Sequence, residues 1–407
     1  VGQRELIGLL SMVMALAALG IDMMLPAFVD MRRTFDLAAG SNEIARTITA
    51  YFVGMATAPV LYGALADRFG RKPVLYLGGT VYLIGAVGSA LAPTLPALLA
   101  ARFVWGIGAA GGRVVAMAII RDTHQGEEMA RTMSYIMSVF ILVPVFAPSL
   151  GAVVVSLGSW RWVFGVTACA AAAILAWSLR LNETLDPANR QPIRWGRLGA
   201  SARRLASTPA TVVPTLALTC LMGIMATYLA SSPLLVGEVF DREDQFPIVF
   251  GAVALVLGGA SFLNGRLVGR FGIRRLLGPV AVVYLVAGLT TVALSLGAEG
   301  RPAFWVFMPV LTVTLGCQML LVPSLNTLAM EPVGDIAGTA AAVIGSVSTA
   351  GGAVIGSIVD SRMTSTTTPL AMTVGLAGAT VGVLVWAMVR SVPVPVVSPP
   401  APVPPRR

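Results

Sequence analysis

The chain has 407 residues, 56% of them apolar and only 12% charged, where a soluble fold of this length carries about a quarter charged residues. Roughly 228 apolar side chains, at about 20 per span, supply eleven or twelve membrane helices, and a mean hydropathy of +0.83 agrees. A secreted disulfide domain, a disordered regulator and an ordinary cytosolic enzyme are excluded.

Apolar runs bounded by charge, Pro or Gly fall near 6–28, 44–65, 73–92, 96–119, 132–155 and 162–181, then 209–231, 246–268, 275–297, 302–326, 336–359 and 368–390. They predict an all-α membrane protein with twelve transmembrane helices. The first run is too long for a signal-peptide core and no small-residue cleavage site follows it, so it is expected to stay as helix 1. Residues 182–208 form the longest polar stretch between runs, with several Arg, two Pro and Trp195. They divide the chain into a six-helix bundle at 1–181, a cytoplasmic linker at 182–208 and a second six-helix bundle at 209–390. The tail 391–407, SVPVPVVSPPAPVPPRR, reads as extended, disordered and solvated.

A net charge of +9 could suggest nucleic acid, but the basic residues sit in short clusters between apolar runs rather than in a basic domain. All are Arg except Lys72. With the N-terminus inside, cytoplasmic segments hold 19 of them and outer segments seven, with Arg102 and Arg113 inside a helix. The positive-inside rule then puts both termini in the cytoplasm. Cys169, Cys220 and Cys317 lie in separate apolar runs, and His124 is the only histidine. No disulfide framework and no metal site are expected. There is no glycine loop with Lys and Ser/Thr for ATP, and no nucleophile–base set, so the chain does not read as an enzyme.

The two halves share a repeat. GALADRFGRKPVL at 63–75 aligns without gaps on GRLVGRFGIRRLL at 265–277, with six of thirteen positions identical at an offset of 202 residues. Each copy follows the second helix of its half. Parallel repeats with a substrate site between them are a transporter architecture.

At these residues the chain resembles the major facilitator superfamily. Gly63, Leu65, Ala66, Asp67, Arg68, Gly70, Arg71, Lys72 and Pro73 are similar to its signature loop between helices 2 and 3. Arg102-Phe-Val-Trp-Gly106-Ile-Gly108 resembles the helix 4 motif of proton-coupled members, and Pro144, Ala147, Pro148, Gly151 and Ala152 the helix 5 motif of drug antiporters. More narrowly, Gly20-Ile-Asp22-Met-Met-Leu-Pro26, Ile120-Arg121-Asp122, Trp160-Arg161-Trp162, Glu183-Thr184-Leu185, Ser231-Ser232-Pro233 and Ala337-Gly338-Thr339 look like the Bcr/CflA drug-resistance subfamily. That subfamily includes bicyclomycin, chloramphenicol and florfenicol exporters. Pro59 and Arg113 depart from its usual pattern. The resemblance implies a drug:proton antiporter of the bacterial inner membrane, a monomer that needs no cofactor because protons drive it.

Asp22 is the one acid deep inside an apolar run, where an aspartate costs about 2.5–3.5 kcal/mol and by default marks function. Its expected partner is Arg102, at a matching depth of roughly 9 Å below the outer boundary; the resemblance gives this pair proton coupling. The plain alternative is an Arg that pins backbone carbonyls. Arg113, eleven residues on, shares the face of Arg102 about 16 Å deeper, facing the inner cavity or the inner gate. Asp67 with Gly63, Arg68, Gly70, Arg71 and Lys72 reads as a latch that faces a helix N-terminus or an Arg of the other half. Pro144 and Pro148, with Gly151, are expected to bend helix 5. Met14, Tyr51, Met55, Met222, Met225 and Tyr228 are candidates for the cavity wall, since flexible Met side chains suit apolar ligands. His124, Glu127 and Glu128 read as a solvated loop.

The reading is proton-driven export of small, mostly apolar drugs by alternating access. Its rivals are a sugar or amino-acid effluxer of the same fold and a membrane sensor that signals through its tail.

Overall fold

The computed structural model describes residues 2–38, 41–193, 195–363 and 366–391. The Pro-rich segment beyond Ser391 lies outside them. In chain order the helices are α1 (Gln3–Asp22), α2 (Phe28–Thr34), α3 (Arg46–Thr57), α4 (Pro59–Phe69), α5 (Arg71–Leu91), α6 (Leu95–Thr123), α7 (Gly126–Ser156) and α8 (Arg161–Ser178). After them come α9 (Trp195–Ser207), α10 (Pro209–Leu234), α11 (Phe246–Phe271), α12 (Ile273–Gly297), α13 (Phe304–Met330), α14 (Ala337–Asp360) and α15 (Thr368–Ser391). No strand occurs among the described residues. A chain in hydrocarbon must satisfy its backbone groups within each segment, and helices do this.

Among the described residues ten helical stretches are long and apolar enough to cross a membrane, and the bent pair α3–α4 makes eleven. The longest, Phe304–Asp360, is two helices, α13 and α14, joined by a 3-10 turn at Glu331–Ile336. Counted apart, they bring the spans to the expected twelve.

Two spans are broken where the sequence runs suggest continuous helices. The run 6–28 stops being α-helical at Asp22, passes through a 3-10 turn at Leu25–Ala27 containing Pro26, and resumes as α2. The second span bends by 42° between Thr57 and Pro59, because proline lacks an N–H and its ring clashes with the preceding turn. Pro144 and Pro148, by contrast, lie inside one uninterrupted helix α7. The polar stretch 182–208 is not loop throughout, since it contains the amphipathic α9, whose Leu205 is buried and whose Arg204 pairs with Asp335 at 2.6 Å.

Gly70 and Gly272, equivalent positions of the repeat, end one helix and start the next with φ of 105° and 77°. L-residues with a Cβ rarely adopt that region, so the repeated glycine is the hinge between spans in both copies.

Within the first eight helices α6 packs on α3 and α5, α1 on α7, and α5 on α8; within the later six α14 packs on α10, and α12 on α13 and α15. The two sets meet along α7 with α11 and along α3–α4 with α14. At the end of the molecule carrying Asp360, one apolar core runs across both sets, from Met23, Met24 and Leu25 to Leu235, Val236 and Phe250. Toward the end carrying Asp67 each set has its own core, around Leu10 and Ile119 in one and around Leu321 and Leu325 in the other.

Candidate functional site

Asp22 is 3% exposed, and no hydrogen bond or ion pair to its carboxylate is found among the described residues. Arg102, fully buried, reaches backbone instead: Nη1 donates to the Gly20 carbonyl at 2.7 Å and Nε to that of Thr47 at 3.3 Å. The direct ion pair expected from matched depths is not formed here. The reason lies in the break of helix 1. The Met24 N–H, which in a continuous helix would bond Gly20, turns to Ile21, so the Gly20 carbonyl is left at a helix C-terminus where a cation is favoured. Arg102 Nη2 is buried with no partner among the described residues. The site therefore holds an unpaired acid two residues from the carbonyl that anchors a half-satisfied arginine.

Aromatic rings close the arginine in. Tyr51, Trp105 and Phe164 lie 4.6, 4.7 and 5.9 Å from the guanidinium carbon. Tyr51 and Tyr82 donate their hydroxyls to the Ala17 and Leu16 carbonyls of α1 at 2.9 and 2.6 Å. Small residues make this approach possible. A Cβ on Gly106 would strike the Tyr51 backbone, one on Gly108 the Tyr82 backbone, and one on Gly151 the Met23 carbonyl. Gly151 thus seats α7 against the break in helix 1.

Among the cavity candidates, Tyr51, Met14 and Tyr228 are buried. Tyr51 belongs to the arginine cage, Met14 to the core of the first set, and Tyr228 stacks on Phe250 at 5.8 Å. Met55, Met222 and Met225 are half-buried, and Met222 packs against Gly352 of α14. Arg113, mid-helix, is exposed between the half-buried Gly112 and Val114. Eleven residues beyond Arg102, about three turns, it lies on the same side of α6.

At the Asp67 end, Arg71 is the hub. Its Nη1 meets Asp67 Oδ1 at 2.6 Å and its Nε meets Asp122 Oδ2 at 2.7 Å. Asp67 itself is largely exposed and engages its own loop rather than an arginine of the other set. Arg121, on α6, reaches toward the other set, near Gly338 at the start of α14. Arg68 lies over the Phe69 ring, Lys72 Nζ donates to the Leu179 carbonyl at 3.0 Å, and open space surrounds Gly63.

Asp122 and Glu183 appeared in the sequence only as motif letters, and the structure gives both a role. Glu183 accepts from the backbone N–H groups of Arg71, Lys72, Thr184 and Leu185 at 2.8–3.1 Å, capping the first turn of α5 from 112 residues away. Partial burial alone would push its carboxyl up, but these four donors hold it below the usual carboxylate range. In the second repeat copy Gly269 and Ile273 replace Asp67 and Arg71, and a simpler pair, Arg274–Glu331 at 3.1 Å, stands there.

His124 is buried and its ring bonds Thr123 Oγ1 at 2.7 Å, so the expected solvated loop is only partly solvated. Asp360, one residue past the apolar run 336–359, is the last residue of α14. It is 4% exposed. Arg32 of α2 pairs with Glu238 beyond α10, tying the two helix sets at the same end. No group of metal-binding side chains is found among the described residues.

Comparison with known proteins fits this architecture. The chain is 29% identical over 388 residues to the bicyclomycin resistance protein homolog of Haemophilus influenzae, covering 95% of each chain. It is 31% identical over 272 residues to the multidrug resistance protein MdtL of Escherichia coli, covering 65% of this chain and 69% of that one. Among solved structures, a D-xylose-proton symporter superposes with a TM-score of 0.75 at 15% identity, over 94% of this chain and 97% of that one. Residues 10–357 match the profile of the Major Facilitator Superfamily. With twelve membrane-length spans, repeated hinge glycines and that match, the chain belongs to the Major Facilitator Superfamily and is a multi-pass membrane transporter.

Proposed function

We propose that this transporter exports small, mostly apolar drugs from the cytoplasm in exchange for protons, without a cofactor. The observation that carries the reading is the buried Asp22 carboxylate, with no partner among the described residues, two positions from the carbonyl that holds an arginine with one unpartnered donor nitrogen. A carboxylate so placed is neutral or seeks a cation, and a proton is the smallest one. Taking a proton on Asp22 and handing it to the other side, with Arg102 competing for the ionised acid, links proton and drug occupancy. The names of the resistance relatives support the substrate class. One charge moved through about 100 mV provides about 2.3 kcal/mol, enough for roughly fifty-fold accumulation.

Both termini are assigned to the cytoplasm, which makes the Asp67 end inner and the Asp360 end outer. The bundles 1–181 and 209–390 rock about a cavity between them, joined by 182–208. The shared core at the outer end and the separate cores at the inner end suit a state closed outside. The Asp67–Arg71–Asp122 cluster is the latch that rearranges when the bundles move.

Purified protein in proteoliposomes with an imposed pH gradient tests this, with chloramphenicol, florfenicol and bicyclomycin as probes. Drug-dependent proton flux, with drug moving against the proton, is expected for at least one. Drug transport indifferent to the pH gradient would overturn the coupling, and no transport of any probe would overturn the substrate class.

A further inference from the structure

A polar chain crosses between the two helix sets at the outer end. Asn42, in the turn before α3, donates its Nδ2 hydrogen to Ser231 Oγ at 3.3 Å. That hydroxyl donates in turn to Asp360 Oδ1 at 2.8 Å. All three residues are buried, and Asp360 Oδ2 has no partner among the described residues. In this arrangement the one serine hydrogen goes to the acid and the serine oxygen accepts from Asn42.

A single hydroxyl donor does not compensate an ionised carboxylate out of water; buried carboxylates that stay charged take several donors or a cation. Glu183 of this same chain has four donors. The charged and titratable groups on the elements packed against this end of α14 are engaged elsewhere. Glu43 and Arg46 pair with each other at 3.4 Å, Arg32 pairs with Glu238, and Tyr228 stacks on Phe250. Helix α13 carries no charged residue, α15 has only Arg390 at its far end, and Arg362 is exposed just beyond Asp360. Asp22 is the other buried acid at this end, and it has no bond to Asp360.

We propose that Asp360 is a second proton-binding site of this transporter, and that the proton it takes from the outer water holds the outer mouth shut. On closure an O–H bond forms on Asp360, and the neutral acid docks on Ser231 and, through it, on Asn42 of the other bundle. On opening the acid reaches water, that bond breaks, and the proton returns to the outer side. No charge crosses the membrane in this step; it is a gate set by outer pH, distinct from the transported proton. The inference rests on the alternating-access reading and on the orientation given above.

The test is the outer opening measured by spin-label distances between Arg33→Cys and Arg362→Cys, with Cys169, Cys220 and Cys317 replaced by Ala. The full chain in nanodiscs is titrated from about pH 5 to about pH 9. One-proton linkage gives an open-to-closed ratio that rises up to about tenfold per pH unit. In Asp360→Asn the ratio is expected to be flat and closed, because the amide keeps an oxygen for Ser231 and has no proton to lose. In Asp22→Asn the slope persists. In Asn42→Ala, which weakens only the closed state, the slope persists and the midpoint moves to lower pH; this variant decides the matter if Asp360→Asn does not reach the membrane. A flat wild-type curve, a sloping Asp360→Asn curve, a slope abolished by Asp22→Asn, or an unmoved midpoint in Asn42→Ala would each overturn the proposal. Loss of drug-coupled proton flux with the gate slope intact would instead sink the function reading and leave the gate standing.

Discussion

Replacing Asp22 with Asn separates a proton carrier from a structural ion pair, and the geometry sets the size of the effect. If Asp22 were ion-paired with Arg102, the amide would leave a buried guanidinium uncompensated, at about 3–5 kcal/mol. In the structure the arginine is held by the Gly20 and Thr47 carbonyls, and the acid has no bond to lose. The isosteric amide is therefore expected to change stability by less than about 1 kcal/mol. Arg102→Met is the contrasting perturbation. It strips two buried carbonyls of their donor, at about 1–3 kcal/mol each, and removes cation–π contacts worth about 1–2 kcal/mol more in a dry site. Thermal unfolding of both variants in one detergent gives the stabilities, and pH-gradient-driven export in proteoliposomes gives the function. Asp22→Asn is expected to melt with the wild type, lose uphill export and retain downhill exchange, while Arg102→Met melts well below it. Equal destabilisation of the two variants would refute the unpaired-acid geometry. Full uphill export by a stable Asp22→Asn protein would remove Asp22 as the obligatory carrier.

Three further perturbations address the other parts of the site. Because Glu183 titrates below the ordinary carboxylate range when folded, its capping contribution is complete above that range and is lost as pH falls through the lowered folded value. Hydrogen exchange at the Arg71 and Lys72 amides is expected to show protection lost in acid, and Glu183→Gln to abolish that pH dependence. Gly70→Ala forces a Cβ into a φ of 105° and against the Glu183 carboxylate, so it is expected to cost about 1–3 kcal/mol. Gly63→Ala, in open space on a helix, is its control and is expected to be neutral or slightly stabilising in the same melt. Arg113→Met is expected to alter the relative resistance conferred to different drugs at equal protein level; an unchanged ranking would assign Arg113 to the inner gate.

Much of the fold was legible because the forces that set it are local. Each apolar run had to become a helix, since hydrocarbon offers its backbone no other partner. The repeat at an offset of 202 residues pairs Gly70 with Gly272, and the structure gives both a positive φ. Where local signals compete, the sequence was less sufficient. Pro26 follows the break in helix 1 and Pro59 follows that in the second span, yet Pro144 and Pro148 leave α7 unbroken. Proline removes a hydrogen bond in every case, and the packing around it decides whether the helix yields.

The sequence alone determined which residues are expensive in the membrane: Asp22, Arg102 and Arg113 stand out against the apolar runs by chemistry alone. What answers each of them was decided only by the tertiary structure. Arg102 found a carbonyl set free by the break of helix 1, 82 positions away. Glu183 found the N-terminus of α5, and Asp360, at the margin of its run, was drawn into a buried chain through Ser231, 129 positions away, to Asn42. Burial and hydrogen-bond partnership depend on distances through space between segments far apart in the chain, and the alternation of apolar and polar residues along it does not encode those distances.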